Sequence, residues 1–122
     1  MSAPAAAPKA GPILTKAVLR AARALGLTQR RLASVLGLSE ATVSRLGRAK
    51  TLDARTKDGE LAVLFVRMFR SLDTVVGGDE TKARAWLWAE NDHLAGIPAE
   101  RIRTIAGLLD VVSYLDAVRG KL

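Results

Sequence analysis

Apolar residues recur every three or four positions along most of the chain, which is the period of an amphipathic α-helix. No stretch alternates apolar and polar residues over several positions, as a half-buried strand would. Ser, Thr, Asp and Pro residues that favour helix starts, and Gly residues that favour helix ends, bound the periodic segments. The pattern predicts an all-α protein with helices over residues 13–25, 29–36, 40–48, 58–76, 80–90, 98–105 and 108–119.

The segment before the first helix, residues 1–12, is rich in Ala and Pro and has no apolar stretch like that of a secretory signal. We therefore predict a disordered tail. The longest unbroken apolar run, Leu61–Val66, is far shorter than the roughly 20 residues that a membrane helix needs. These observations predict a soluble, cytoplasmic protein with no membrane partner.

Charge is distributed unevenly over the 122 residues, whose formal net charge is +7. Residues 1–57 contain eleven Lys and Arg but only Glu40 and Asp53 as acids, whereas residues 58–122 carry a net charge of −2. Polar residues interrupt the apolar pattern between Thr51 and Asp58. We predict two units, a basic one over residues 13–57 that faces a polyanion such as nucleic acid, and a second helical domain over residues 58–122.

The stretch from Leu27 to Leu52 consists of a helix, a short turn that contains Gly37, and a second helix. Thr28 and Ser39 stand where N-caps belong, and apolar residues stand where two steeply crossing helices would meet. This stretch resembles the Xre/Cro-type helix-turn-helix of phage and bacterial repressors. The resemblance implies an N-terminal helix-turn-helix bundle that binds double-stranded operator DNA.

Site residues follow from that resemblance. Gln29 would bind a backbone phosphate, and Arg45 would contact the O6 and N7 atoms of a guanine. Glu40 would accept from a cytosine amino group or would only favour the helix N-terminus. The alternative is that the arginines form a solvated surface with no ligand. The residues placed on DNA are Gln29, Arg30, Ser39, Glu40, Ala41, Thr42, Ser44, Arg45, Arg48 and Lys50.

The helix predicted over residues 58–76 is apolar almost all round, which requires burial on more than one side. We predict a homodimer interface on this helix, with a position at the centre of the monomer core as the equal alternative. The interface residues would be Leu61, Leu64, Phe65, Met68, Phe69 and Leu72.

Residue types that carry catalysis are scarce, because the chain has no cysteine and a single histidine, His93. Glu90 and Asp92 are neighbours of His93 in sequence and do not supply the spaced set of ligands that a metal requires. We predict no catalytic residue, no metal site and no cofactor. An enzyme that acts on nucleotides remains a rival, but it would need a polar pocket that this composition gives little means to build.

The segment Ala85–Leu122 is similar to the C-terminal domain of the Xre/MbcA/ParS antitoxins, and the positions that carry the similarity occur in the family's order: Trp86, Pro98, Thr104, Gly107, Val111, Leu115 and Gly120. The resemblance implies a type II antitoxin that binds a RES-domain toxin, an enzyme that degrades NAD, and covers its active site. By position only, the toxin-binding residues would be Tyr114, Val118, Arg119, Gly120, Lys121 and Leu122.

The two cations at the chain end have two explanations. Arg119 or Lys121 would pair with an acidic group in the toxin's pocket, or both would complement the dipole of the last helix. The family resemblance further implies that a homodimer, within a hetero-oligomeric complex with the toxin, represses its own operon. A stand-alone dimeric helix-turn-helix repressor would account for the same residues.

Overall fold

Side-chain caps set the starts of most helices in this chain. The Oγ1 atom of Thr28 accepts from the backbone N–H of Arg31, and the Oγ atom of Ser39 accepts from that of Thr42. Each bond satisfies a backbone donor that has no partner inside the helix.

The computed structural model describes residues 10–122, which form an all-α fold as predicted. Its elements are α1 (Ala10–Ala24), α2 (Gln29–Leu36), α3 (Glu40–Arg45), α4 (Lys57–Val75), α5 (Glu80–Trp88), a 3₁₀ turn (Asp92–Leu94), α6 (Pro98–Arg101) and α7 (Ile105–Arg119).

The first helix starts three residues earlier than predicted, at Ala10. Pro12 lies in its first turn, where a backbone N–H has no partner within the helix, so the proline does not interrupt the hydrogen bonding. The prediction of a disordered tail over residues 1–12 is therefore wrong for Ala10–Pro12. Residues 1–9 of that predicted tail lie outside the described residues.

The second helix of the helix-turn-helix ends at Arg45 and not at Arg48. Gly47 has a φ of +84°, in the left-handed region that ends a helix. The backbone N–H groups of residues 48, 49 and 50 all donate to the Arg45 carbonyl oxygen, at 3.0 to 3.1 Å. Arg48 and Lys50 consequently lie in a tight loop that follows α3.

The last two helices divide at Thr104 and not at Gly107. Thr104 caps α7 by accepting from the Gly107 N–H, so that this glycine lies inside the first turn. A Cβ atom on Gly107 would lie 1.8 Å from the Arg101 carbonyl oxygen, because the preceding chain crosses the helix there. Gly59 has the same role in α4, where Thr56 is the cap and the Asp53 carbonyl oxygen blocks a side chain.

Helix α4 lies at the centre of the molecule and contacts α1, α2, α5 and, most extensively, α7. Phe65, Met68 and Leu72 have no exposed surface in the single chain. The prediction that these three side chains form a dimer interface is wrong, because a side chain buried in its own core cannot contact a second copy. Leu61, Leu64 and Phe69 are partly buried against the same core, and their role in a dimer stays a prediction.

The predicted boundary at residues 57 and 58 separates two charge regimes but not two hydrophobic cores. One buried cluster extends from Val18 in α1 to Leu115 in α7, with α4 shared by both halves. Buried polar contacts add to it. The Thr15 hydroxyl accepts from the Leu52 N–H at 2.9 Å, and the Ser71 hydroxyl donates to Asp116 at 2.8 Å.

A charged junction also joins the helix-turn-helix to the C-terminal half. Arg31 of α2 donates to one oxygen of Glu100 at 2.7 Å, and Arg103 donates to the other at 3.0 Å. The Arg31 guanidinium also lies 4.8 Å from the ring centre of Trp88, at the end of α5. The pKa of the Glu100 carboxyl is lowered from its ordinary value of 4.5. The hydrogen bond from Arg31 is the largest cause, and the hydrogen bond from Arg103 is the second.

The close crossing at α7 predicts that Gly107→Ala destabilises the fold. A helical Gly→Ala change normally stabilises by about 1 kcal/mol, but here the added Cβ would overlap the Arg101 carbonyl. We expect a net loss of roughly 3 kcal/mol in the free energy of unfolding, measured in urea. The control is Gly120→Ala, whose nearest heavy atom would lie at an ordinary 3.4 Å. Equal stability of the two variants would contradict the steric argument.

The Glu100 junction predicts a specific dependence on pH. Since the pKa of this carboxyl is lower in the folded chain than in the unfolded chain, its contribution to stability is present above about pH 4.5 and is lost as the pH falls through the folded-state pKa. We expect an NMR titration to give a midpoint below 4.5 for Glu100, and Arg31→Ala to raise it.

The control for that titration is Arg55→Ala. Arg55 lowers the pKa of Asp53 through a separate side-chain hydrogen bond, so its removal raises the Asp53 midpoint and leaves that of Glu100 in place. A Glu100 midpoint that does not respond to Arg31→Ala would show that the ion pair does not form in solution.

Candidate nucleic-acid interface and partner surface

The helix-turn-helix is held by the apolar residues that the sequence indicates. Leu32 and Leu36 of α2 pack with Val43 of α3, and all three are buried. Gly37 has a φ of +68° and ends α2, which lets the chain turn into α3. The arrangement confirms the predicted helix, turn and helix, and it leaves the outer face of α3 exposed.

On that outer face, Arg45 is the side chain best placed to contact a ligand. It is exposed, and its guanidinium makes no hydrogen bond or ion pair with any residue in the described range 10–122. Glu40 and Ala41 are exposed beside it on α3. Gln29 and Arg30, also exposed, lie at the start of α2. These five predicted DNA-binding residues are therefore all exposed, three on α3 and two at the start of α2.

Other predicted DNA residues have bonding partners within the protein. Ser39 and Thr42 bond to each other through their hydroxyls at 2.9 Å, and the Ser44 hydroxyl donates to the Ala41 carbonyl at 2.8 Å. Arg48 folds back and donates to the Ser44 carbonyl at 2.8 Å. Ser39, Thr42 and Ser44 therefore shape α3, and Arg48 closes its C-terminal end, whereas Lys50 is exposed in the loop.

Tyr114, in the predicted partner-binding set, is the middle ring of an aromatic stack. Its ring centre lies 6.2 Å from that of Trp86 and 5.5 Å from that of His93, with interplanar angles of 16° and 29°. Trp86 and Tyr114 are half-buried, and His93 is exposed. We call Trp86, His93 and Tyr114 the aromatic stack. It offers a planar surface of a kind common in protein interfaces.

The predicted chain-end residues do not all share one face. Val118 lies one helical turn after Tyr114 on the same side of α7, and Gly120, Lys121 and Leu122 are exposed beyond it. Arg119 lies about 140° around the helix from Tyr114, where its Nη1 is 3.5 Å from the Ser71 hydroxyl of α4. Lys121 is therefore the cation at the chain end that makes no contact of this kind within residues 10–122.

Sequence reasoning missed two features of these surfaces. Trp86 and His93 belong to α5 and to the 3₁₀ turn, and no local pattern indicates that they meet Tyr114 of α7. Between α1 and α4 lies an open groove of about 690 Å³ with Phe69 and Val66 among its apolar residues. Its basic residues are Lys16, Arg20, Arg23 and Arg70.

Two further observations concern the described residues, 10–122. No group of three or more His, Cys, Asp or Glu side chains lies close enough there to hold a metal ion. In the same range, no helix has both the length and the apolar content to cross a membrane.

Two family models match the chain, and both extend into α4. The antitoxin Xre-like helix-turn-helix domain matches residues 4–67, slightly more than half of the chain, and the antitoxin Xre/MbcA/ParS C-terminal toxin-binding domain matches residues 71–121. A search of the curated proteins finds no match. Both matched descriptions are of antitoxin domains, and the step from one to the other falls within the buried helix that the two halves share.

Proposed function

This chain belongs to the Xre-type antitoxins, and from that premise we propose that it inhibits a RES-domain toxin and represses its own operon. It is a type II antitoxin acting in the cytoplasm, and the NAD-degrading reaction belongs to the toxin and not to this chain. The observation that supports the proposal best is the pairing, in one folded body, of a helix-turn-helix that has an exposed Arg45 with an exposed chain end in a toxin-binding domain.

On operator DNA, α3 lies in the major groove and Arg45 contacts a base. Its guanidinium fork matches the O6 and N7 acceptors of guanine, and on binding it gives up no ion pair with a residue of the described range, 10–122. Glu40 accepts from a cytosine amino group in the same groove. Gln29 and Arg30 contact backbone phosphates at the start of α2, and Lys50 does so from the loop after α3.

The chain acts on DNA as a homodimer, because helix-turn-helix modules usually contact two half-sites about one helical turn apart. Phe65, Met68 and Leu72 take no part in the dimer contact, since they are buried within one chain. The partly buried Leu61, Leu64 and Phe69 remain the candidates on α4. Two copies would then join the toxin in a hetero-oligomeric complex.

On the toxin, the aromatic stack and the chain end form one contact surface. Tyr114 and Val118 bury apolar area, and Trp86 and His93 widen that area on one side. Gly120, Lys121 and Leu122 extend from the end of α7 toward the NAD pocket of the toxin. There the ammonium group of Lys121 pairs with an acidic group of the toxin.

The direct test is to tag the chain in its native host and to purify it after a high-salt wash that removes nucleic acid. We expect a stoichiometric partner that consumes NAD once it is separated from the chain. Adding the purified chain back should stop that consumption. A chain recovered alone, or with a partner that does not consume NAD, would refute the toxin assignment and favour a stand-alone repressor.

For DNA binding, we expect Arg45→Ala to weaken binding to a duplex from upstream of the chain's own gene by about 1–3 kcal/mol. Fluorescence anisotropy on that duplex measures the loss. The matched control is Arg70→Ala, which removes the same charge from an exposed position on α4. Toxin binding should be unchanged in both variants. An operator affinity equal for Arg45→Ala and wild type would exclude Arg45 from base contact.

For toxin binding, we expect Tyr114→Ala to raise the Kd by at least about 30-fold, the scale of a buried aromatic contact. Calorimetry with the purified toxin measures the change. The control is Leu109→Ala, since Leu109 is an exposed residue about 140° around α7 from Tyr114. Operator binding in both variants confirms folding. An equal effect of the two substitutions would move the toxin contact away from the aromatic stack.

A further inference from the structure

A small polar recess lies where the helix-turn-helix meets the loop between α6 and α7. It has a volume of about 220 Å³, and all five residues that line it have polar or charged side chains. Four of the lining residues belong to α2 and its N-cap, and one, Arg103, comes from the C-terminal half. The lining residues are Thr28, Arg30, Arg31, Ser34 and Arg103.

The charges around the recess favour an anion. Arg31 and Arg103 share the single carboxylate of Glu100, at 2.7 and 3.0 Å, which holds two guanidinium groups close together while neutralising only one of their charges. Arg30 makes no ion pair within residues 10–122 and adds a further charge. These four groups sum to +2. The Arg103 side chain keeps 50% of its surface exposed, so that a ligand can reach it.

The size of the recess limits the ligand to a small group. Sites for whole small molecules usually occupy about 300–1,000 Å³, and this recess is smaller. A single phosphate group fits, and its oxygens match the paired N–H donors of arginine. Arg30 also neighbours Gln29 on α2, at the edge of the surface proposed for DNA.

We propose that Arg103, together with Arg30, binds a phosphate of the DNA backbone, so that the C-terminal half extends the DNA contact of the helix-turn-helix. Glu100 is a positioning residue here. Its carboxylate holds Arg103 near Arg31 of α2 and has no hydrogen to donate to the phosphate. The net charge of −2 on residues 58–122 does not oppose this contact, since the local charge at the recess is positive. The inference rests on the proposed DNA binding.

The test is the salt dependence of DNA affinity, measured on the full chain with the upstream duplex and with a random duplex of equal length. Each phosphate contact contributes about 0.9 to the slope of log K against log salt. We expect Arg103→Ala to lower the slope by about one contact on both duplexes, because a phosphate contact carries no base specificity. Arg103→Lys, which keeps the charge, should retain most of the slope.

The matched control is Lys82→Ala, which removes one charge from an exposed residue of the C-terminal half that does not line the recess. Its slope should equal that of the wild type. Because Arg103→Ala also removes a partner of Glu100, a second variant, Ser34→Asp, places a negative charge in the recess and keeps Arg31, Glu100 and Arg103 in the chain. It should weaken binding to both duplexes, with the unfolding temperature of each variant as the check on folding.

Several outcomes would overturn the inference. One is an unchanged slope for Arg103→Ala, and another is an equal loss of slope for Lys82→Ala. A third outcome combines two results: inorganic phosphate shifts the Arg103 side-chain NMR signal, and Arg103→Ala leaves the salt slope on the duplexes unchanged. That combination would assign the recess to free phosphate. A wild-type chain that binds neither duplex would refute the proposed DNA function itself, which separates that failure from the failure of this inference alone.

Discussion

Burial of α4 on almost every side is the constraint on which the rest of this structure depends. Phe65, Met68 and Leu72 are wholly enclosed, and each such side chain stabilises the folded state by about 1.5–3 kcal/mol. The enclosing helices come from both halves of the chain, with α1 and α2 on one side and α5 and α7 on the other. The DNA-binding and toxin-binding parts therefore share one hydrophobic core and hold a fixed geometry to each other.

That shared core explains why polar groups can link the two halves. Arg31 and Glu100 are 69 residues apart in sequence, yet their side chains meet at 2.7 Å because packing on α4 brings α2 beside α6. The same packing places Trp88 under the Arg31 guanidinium and the Ala24 carbonyl within 2.8 Å of Arg84. Exposed ion pairs contribute little to stability by themselves. Here their more important effect is to fix where the neighbouring guanidinium groups lie, at the margin of the proposed DNA surface.

Helices α4 and α7 begin with the same local sequence motif. The pattern Arg-Thr-X-X-Gly occurs at residues 55–59 and 103–107, at the starts of α4 and α7. In each case the threonine caps the helix, and the glycine lets the preceding backbone cross the first turn at a distance that no side chain would permit. Because α4 and α7 form the most extensive helix pair, these two crossings set how the chain enters the centre of the core.

The sequence by itself determined the helices, the caps and the register of the helix-turn-helix, because hydrophobic period, capping and glycine conformation act over a few residues. It also determined the basic character of the first half and the order of positions that marks the antitoxin family. It failed where a local signal was ambiguous: a helix apolar all round fits a core as well as an interface, and only packing decided that α4 is core. Two glycines were ambiguous in the same way. Gly47 was predicted inside a helix and lies after its end, whereas Gly107 was predicted between two helices and lies in the first turn of α7. Tertiary structure alone decided that Trp86 and His93 stack on Tyr114, and that Arg103 and Arg30 line the same recess. Such contacts join residues far apart in the chain, and they depend on how the helices pack and not on the periodicity of any one helix.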